Sequence, residues 1–417
     1  MPRKTTAIAD GDIAKAAYWR AAMPELSLEK LAVELNLKSS VTLKKRLDEA
    51  INRKWIANDW VFKGTLGRLS EILPEMEDKR LHAKITQLCG TANLPRLTVV
   101  PAWPPERNAS SLTNEAIDEI NMRLVAHAAA KIFIERIPDM KVIGLSYGRT
   151  LQKMVDALEH FSTDVQNVLK NNTSDISRII VTICGSLSFP FDDKRHSNWL
   201  ECSASYLTNR LARILGTDKC QRRFLETPAY VPPAFLRLFS NDKTIKSKLD
   251  TIAKKLSPGD ELQIARAFVE AIPIYHDIFV NGQESAVEKL DTVITSVGDL
   301  ETGFGSLEKG EAAPPLLGDE EKEKLLKEAV GDIAGRYLTK NGETGKVNST
   351  ISKVNDRIFG LTLEDLEKIA QREPGVIVIA SSQKKARVIA ALLNHQKTAK
   401  VISELVISGD IAKELAK

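Results

Sequence analysis

The chain has 417 residues, too many for a single modest hydrophobic core, so two or more domains are expected. Charged residues make up 27% of the sequence and hydrophobic residues 43%, which is the balance of a globular protein and excludes fibrous and disordered classes. The net charge of +4 does not by itself indicate a nucleic-acid partner, so the distribution of charge matters more than its total.

The four cysteines are widely spaced and form no C-x-x-C pair, which argues against a disulfide framework and against a zinc site. No secretory leader is visible, and no apolar run approaches the ~18 residues of a membrane span. The sequence therefore predicts a cytoplasmic protein without a metal, a cofactor or a membrane segment.

Residues 26–56 carry two helical patterns separated by a short polar break. Ser27 can cap the first helix, and Ser39 or Ser40 can cap the second. The apolar positions at helical spacing are Leu28, Leu31, Ala32 and Leu35 in the first pattern, and Leu43, Leu47, Ala50 and Ile51 in the second. This arrangement is typical of a helix-turn-helix.

Basic side chains cluster on the second of these helices. Between residues 38 and 54 six lysines and arginines stand against Asp48 and Glu49, an excess of four in a nearly neutral chain. Because a recognition helix meets bases and phosphates with its early part, double-stranded operator DNA is the expected partner. The expected contacts are Lys38, Ser39, Ser40, Thr42, Lys44, Lys45 and Arg46. An ordinary solvated surface helix is the alternative.

The aromatic and apolar positions that follow, from Trp55 to Phe62, favour a small β wing, so residues 1–62 are predicted to form a winged helix-turn-helix domain. Residues 63–91 are predicted to form a helical linker broken at Pro74. Since a helix-turn-helix usually reads two half-sites, this linker suggests a homo-oligomer, a dimer or a tetramer.

From residue 92 to residue 417, apolar runs of strand length alternate with amphipathic helical segments. This alternation predicts an α/β domain with a mainly parallel sheet and helices on both faces. The predicted strands are 141–145, 178–184, 223–229, 291–297, 375–380 and 401–407, after a β-like run near residue 97. The predicted helices are 114–136, 148–160, 198–215, 260–271, 319–330, 364–372 and 383–394.

Ligands of such sheets collect at the carboxyl ends of the strands, and small or polar residues follow several of the predicted strands here. Small residues let the backbone approach a ligand, while hydroxyls and a lysine can donate hydrogen bonds to anionic oxygens. The predicted effector-binding residues at these positions are Gly148, Arg149, Thr150, Gly185, Ser186, Asp299, Ser382 and Lys385. Asp299 is the expected acceptor for sugar hydroxyls, so the pocket suits a phosphorylated or acidic polyol.

The order and spacing of several segments resemble the SorC/DeoR-type sugar-binding transcriptional regulators. The resemblance runs through RLVAHAAAKIFIERI, VIGLSYGRTL, TNRLARILG, FLETPAYVP, DTVITSVGD, EAVGDIAGRYL, DRIFGLTLEDLEKI and SSQKKARVIAALLN. It implies an effector domain similar in fold to ribose-phosphate isomerases and glucosamine-phosphate deaminases, with a sugar phosphate held at the turn around Gly148. It also adds Asn209 to the expected effector contacts.

The chain departs from the family pattern at several of these positions. Cys184-Gly185-Ser186 replaces a glycine pair, Leu207-Thr208-Asn209 replaces Gln-Ala-Asn, and Ser381-Ser382 replaces the paired glycines before Lys385. The chain is also about a hundred residues longer than the family pattern.

Two other functions stay open. One is a DNA-binding assembly whose ligand pocket has decayed. The other is an isomerase or deaminase-like enzyme, which would need a positioned carboxylate or histidine, and Asp299 and Asp332 are the candidates near strand ends. We expect no enzyme activity.

Overall fold

A computed structural model describes most of the chain outside six long segments. The described ranges are residues 26–53, 93–100, 113–171, 177–185, 200–216, 220–225, 272–280, 282–300, 319–345, 349–396 and 398–417, with isolated positions among 12–20, 85–86, 102 and 266–270. The predicted wing at residues 55–62 and nearly all of the predicted linker lie outside them. No helix of the described ranges is long and apolar enough to cross a membrane.

Two helices form near the amino terminus, as predicted. Helix α1 spans Leu28–Glu34 and helix α2 spans Ser40–Asn52. The Ser27 hydroxyl caps α1 and the Ser39 hydroxyl caps α2, in each case by accepting a backbone N–H of the first turn. The apolar stripe is buried at Leu31, Ala32, Leu43, Leu47 and Ala50, while Leu28, Leu35 and Ile51 are half-buried.

The described residues from 93 onward build one nine-stranded sheet with helices on both faces. The strands are β1 Arg96–Val100, β2 Val142–Leu145, β3 Arg178–Thr182, β4 Cys220–Arg223, β5 Thr292–Asp299, β6 Ala329–Ile333, β7 Arg336–Thr339, β8 Gly375–Ala380 and β9 Glu404–Ser408. The helices are α3 Asn114–Arg136, α4 Arg149–His160, α5 Ser162–Asn171, α6 Ala204–Leu215, α7 Ala286–Lys289, α8 Asp319–Glu328, α9 Thr350–Asn355, α10 Leu363–Ala370, α11 Ala386–His395 and α12 Gly409–Leu415.

Seven strands pair in parallel in the order β1-β9-β8-β5-β2-β3-β4, so the predicted α/β class is confirmed. Their side chains alternate between two cores. Ile377, Ile379 and Val406 face a core shared with α3 to α6, while Val376 and Val378 face a core shared with α7 and α10 to α12. Burial on both faces explains why these strands read as continuous apolar runs rather than as alternating ones.

The hairpin of β6 and β7 was not predicted. The helical pattern of residues 319–330 was expected to continue to Val330, but α8 ends at Glu328 and β6 begins at Ala329. Ala334 and Gly335 both have positive φ, 50° and 86°, which suits the two-residue turn of a tight hairpin. β6 pairs antiparallel with the end of β5, so the hairpin extends over the carboxyl edge of the sheet.

Other predicted boundaries were wrong. The strand expected at residues 401–407 begins only at Glu404. Of the strand expected at residues 223–229 only Arg223 lies in a strand, Cys220–Arg223, which pairs with β3, and residues 226–229 lie outside the described ranges. The helix expected at residues 198–215 begins only at Ala204, because the Ser203 hydroxyl accepts the Tyr206 N–H and caps it there. A short 3-10 turn, Leu200–Cys202, precedes the cap.

Candidate functional site

A cavity of about 520 Å³ lies at the carboxyl ends of the three adjacent strands β8, β5 and β2. Parallel strands bring their carboxyl ends to one edge, so the loops that follow them converge there. The helix-turn after β2, the end of β5, the β6–β7 hairpin, the turn after β8 and the first turns of α3 form its wall. The lining residues used below are Glu115, Asp118, Glu119, Arg149, Thr150, Asp332, Ser381, Ser382, Lys384 and Lys385.

The amino terminus of α4 points into this cavity. Gly148 precedes the helix with φ of 134°, a value that only glycine adopts without strain. The Gly148 N–H donates to the Cys202 carbonyl at 3.0 Å and is therefore already used. The N–H groups of Arg149 and Thr150 belong to the first helical turn, which has no intrahelical acceptors, and this end of the helix dipole attracts anions.

Two buried hydroxyls in the wall have no hydrogen-bond partner among the described residues. Thr150 Oγ1 and Ser381 Oγ belong to side chains that are each 1% exposed. Leaving a buried polar group unsatisfied costs about 1–3 kcal/mol. Because both line the cavity, a ligand oxygen can supply the missing partner.

Lys385 ends the short 3-10 turn Gln383–Lys385 and is half-buried in the wall. Burial lowers the pKa of Lys385 to about 8, against the opposing influence of the Asp299 and Asp332 carboxylates, and Arg149 lowers it further. The ammonium group is thus charged at neutral pH and loses its charge in mildly alkaline solution. It supplies a cation beside the two unsatisfied hydroxyls.

Asp332 of β6 packs against Gly298 of β5 and lines the cavity. A Cβ on Gly298 would lie 2.1 Å from Asp332 Oδ1, so the carboxylate occupies the space that a side chain would need. The Gly335 N–H donates to Asp332 Oδ2 at 3.0 Å. Burial raises the pKa of Asp332 to about 6, against this hydrogen bond and the charge of Lys385. Above that pH, Asp332 is an acceptor for hydroxyl groups of a ligand.

The part of the wall formed by α3 is acidic. Glu115, Asp118 and Glu119 fall on one face of the first two turns of α3. Glu119 is paired with Arg123 at 3.2 Å and with Lys153 at 3.1 Å, so part of this charge is compensated within the protein. The cavity therefore has a cationic side at α4 and Lys385 and a hydrogen-bond-accepting side at α3.

Ser382 adopts φ of 81° and ψ of 127°, in the region that favours glycine. A non-glycine residue held there stores about 1–3 kcal/mol of strain. We predict that Ser382→Gly raises the free energy of unfolding by roughly 1 kcal/mol, because relief of strain exceeds the entropy that glycine adds to the unfolded chain. Urea unfolding measures this difference.

Ser382→Ala is the matched control, because it removes the hydroxyl but keeps the Cβ in the strained position. An equal gain from alanine and glycine would show that the hydroxyl, and not the backbone, is the source of the difference.

The structure brings together five of the predicted effector residues, and three others, Asp299, Gly185 and Asn209, do not line the cavity. Gly148, Arg149, Thr150, Ser382 and Lys385 line the cavity. Asp299 is buried and does not line it, although its charge acts on Lys385. The Gly185 N–H donates to the Phe359 carbonyl at 3.3 Å, away from the cavity. Asn209 Oδ1 accepts from Arg222 at 2.7 Å instead of lining the cavity. Ser186 lies outside the described residues.

Sequence reasoning missed the α3 wall and Ser381 as residues that line the cavity. The spacing of Glu115, Asp118 and Glu119 does place them on one helical face, but only the packing of α3 on α4 shows that this face meets the cavity. Asp332 was named only as a candidate proton acceptor. The hairpin that carries it was read as the end of a helix.

The predicted DNA contacts divide into two sets. Lys38, Ser39, Lys44 and Lys45 are exposed on α2 or just before it, and Ser40 is half-buried. Arg46 instead pairs with Asp12 at 3.0 Å, and the Thr42 hydroxyl lies 3.2 Å from the Ser39 hydroxyl in the cap. Three of the seven side chains, Ser39, Thr42 and Arg46, are therefore engaged within the protein.

Comparison with known proteins identifies the carboxyl-terminal part of the chain. Residues 274–417 match the family model "Putative sugar-binding domain". The match contains the end of β5, Asp332 and the Ser381–Lys385 turn, while the α3 and α4 walls of the cavity precede it.

A curated relative, the deoxyribonucleoside regulator of Bacillus subtilis, is 34% identical over 97 residues, which are 23% of this chain and 27% of the relative. The chain thus matches about a quarter of that protein. Similar solved structures include a transcriptional regulator from Streptococcus pneumoniae, with 18% identity, TM-score 0.50 and coverage of 82% of this chain and 97% of the other. Another is the full-length sorbitol operon regulator SorC of Klebsiella pneumoniae, with 17% identity, TM-score 0.49 and coverage of 99% and 100%.

These comparisons confirm the resemblance to the SorC/DeoR-type regulators that the sequence indicates. The Streptococcus structure supports the fold, and the sugar-binding domain family accounts for one half of the cavity wall.

Proposed function

We propose that this protein is a DNA-binding transcriptional regulator whose operator affinity is set by a small phosphorylated or acidic sugar-type effector. The observation that supports this most strongly is that Thr150 Oγ1, Ser381 Oγ and Lys385 line the same cavity as the amino terminus of α4. Two unsatisfied donors, one ammonium group and a helix dipole in one cavity favour a phosphate or carboxylate group.

The remainder of the cavity suits the polyol part of such an effector. About 520 Å³ falls within the range of small-molecule sites. Asp332 and the carboxylates of α3 can accept hydrogen bonds from hydroxyl groups, and acceptors and cations on different elements of the wall hold a ligand in one orientation. These features favour a functional pocket over a decayed one.

The DNA-binding part of the proposal is based on α1 and α2. Their caps and buried stripe define a helix pair, and Lys44 and Lys45 are exposed on the second helix. The names of the curated and structural relatives are those of regulators, which favours regulation over catalysis. We further propose that a homo-oligomer presents two or more such helix pairs to operator half-sites, and that the effector changes their spacing.

The effector site is tested by thermal shift with a panel of sugar phosphates, sugar acids and polyols. A ligand at a hundred times its Kd adds about 2.7 kcal/mol to stability. We expect Thr150→Val to abolish this gain while raising the stability of the ligand-free protein, since the variant removes a buried hydroxyl that has no partner.

Thr208→Val is the matched control. Thr208 Oγ1 is also buried without a partner among the described residues, but Thr208 does not line the cavity. It should give the same stabilisation and keep the ligand response. If both variants lose the ligand-induced thermal shift, the loss does not depend on a contact in the cavity, and Thr150 is not assigned to the effector. If the wild type shows no thermal shift with any ligand, a decayed pocket is favoured.

A further inference from the structure

The exposed face of α2 contains one apolar side chain among charged ones. Val41, Lys44, Lys45 and Asp48 are all exposed and are spaced at i, i+3, i+4 and i+7, so they share one helical face. Val41 is 61% exposed. The structure thus selects a contact face that includes Val41 and excludes Arg46, whose guanidinium is held by Asp12.

The charge of this helix changes along its length. Lys44 and Lys45 lie in its first half, while Asp48 and Glu49 lie in the second, where Glu49 is bound by Arg53 at 2.7 Å. Phosphates attract the first half and repel the second. Both effects are accommodated when the amino-terminal half of α2 lies in the major groove and Asp48 points away from the phosphate backbone of the DNA.

In that docking Val41 faces the base edges, because it lies one turn before the two lysines on the same face. A valine side chain can make no hydrogen bond, and the apolar group that the major groove offers is the C5 methyl of thymine. A β-branched residue is also a poor choice for an exposed helix position, where alanine or lysine is favoured. The exposed Val41 side chain therefore does not contribute to the stability of the fold.

We propose that Val41 is a specificity-determining residue that contacts the methyl group of a thymine in each operator half-site. This inference depends on the proposed DNA-binding function and adds to it a base preference at one position. In this proposal Lys44 and Lys45 contact DNA phosphates, while Val41 contacts a base and contributes to the recognition of the operator sequence.

The experiment uses the full chain and an operator selected from randomised duplexes. Each thymine of the half-site is replaced in turn by deoxyuridine, which removes the methyl group and leaves the base pairing intact. At one position we expect the affinity to fall about fourfold per half-site, the equivalent of one methyl group buried against an apolar side chain. Val41→Ala should bind the thymine operator correspondingly less tightly and should be insensitive to the uracil substitution.

Val33→Ala is the matched control, since Val33 is 75% exposed on α1 and lies off the α2 face. It should retain the full thymine preference. The inference is wrong if no single uracil substitution weakens wild-type binding, if the selected half-site contains no thymine, or if Val41→Ala remains as sensitive as the wild type. Failure to select any duplex would instead overturn the proposed DNA-binding function.

Discussion

Replacing Lys385 with methionine is expected to weaken effector binding by about 10- to 150-fold, the equivalent of one charged hydrogen bond of ~1.5–3 kcal/mol. Methionine keeps much of the side-chain volume but removes the cation that lies beside Thr150 and Ser381. Isothermal titration with the best ligand of the thermal-shift panel measures the change. Operator binding without effector should persist, because α2 is not part of the cavity.

The pH dependence of binding separates the charge of Lys385 from its packing. A pKa of about 8 means that the wild type loses the ammonium charge as pH rises through 8, so the affinity for an anion should fall about tenfold per pH unit beyond that point. Lys385→Arg stays protonated and should give a flat profile from pH 7 to 9.5. A wild-type profile as flat as that of the arginine variant would exclude Lys385 from the anion contact.

Replacing both Lys44 and Lys45 with alanine is expected to weaken operator binding strongly and to lower its salt dependence. Each phosphate contact contributes about 0.9 to the slope of log affinity against log salt concentration, so the slope should fall by about two for each helix pair. Fluorescence anisotropy at four or five salt concentrations measures the slope. The fold should be unaffected, since both side chains are exposed.

Arg46→Ala provides the comparison within the same helix. Because Arg46 pairs with Asp12, its loss should alter the salt slope by much less than one while lowering stability slightly. If Arg46→Ala flattens the slope as much as the lysine substitutions do, the contact face derived from the structure is wrong. If neither substitution changes binding, α2 is an ordinary surface helix.

The sequence predicted the parts of the fold that local pattern determines. α3 and β8 have the predicted bounds, because a 23-residue segment without glycine or proline and a six-residue apolar run leave little choice of structure. The predicted strand ends at residues 145 and 380 were also correct. For this reason Thr150 and Lys385, which follow these ends, line the same cavity as expected.

Tertiary pairing determined what the sequence could not show. The β6–β7 hairpin exists because β6 pairs with the end of β5, although the preceding helical pattern runs on into Val330. Asp299 was assigned to the ligand from its position after a strand, but the antiparallel β6 brings Asp332 there instead. The α3 wall depends on how α3 packs on α4, which no local pattern encodes.

The departures from the family's glycines have physical consequences at the site. Ser382 occupies a backbone conformation that glycine would adopt without strain, so the glycine of the family pattern would fit this turn. Ser381, the other replacement, adds a buried hydroxyl that faces the cavity. The substitutions therefore alter the chemistry of the pocket without closing it.

The central claim is that the cavity and α2 are energetically coupled, and operator affinity measured with and without a saturating effector tests it most directly. The account predicts a change of about 5- to 150-fold in operator Kd, with the same factor appearing in the effector Kd when operator DNA is saturating, because such coupling is reciprocal. An operator Kd that stays constant while calorimetry shows the effector bound would contradict it.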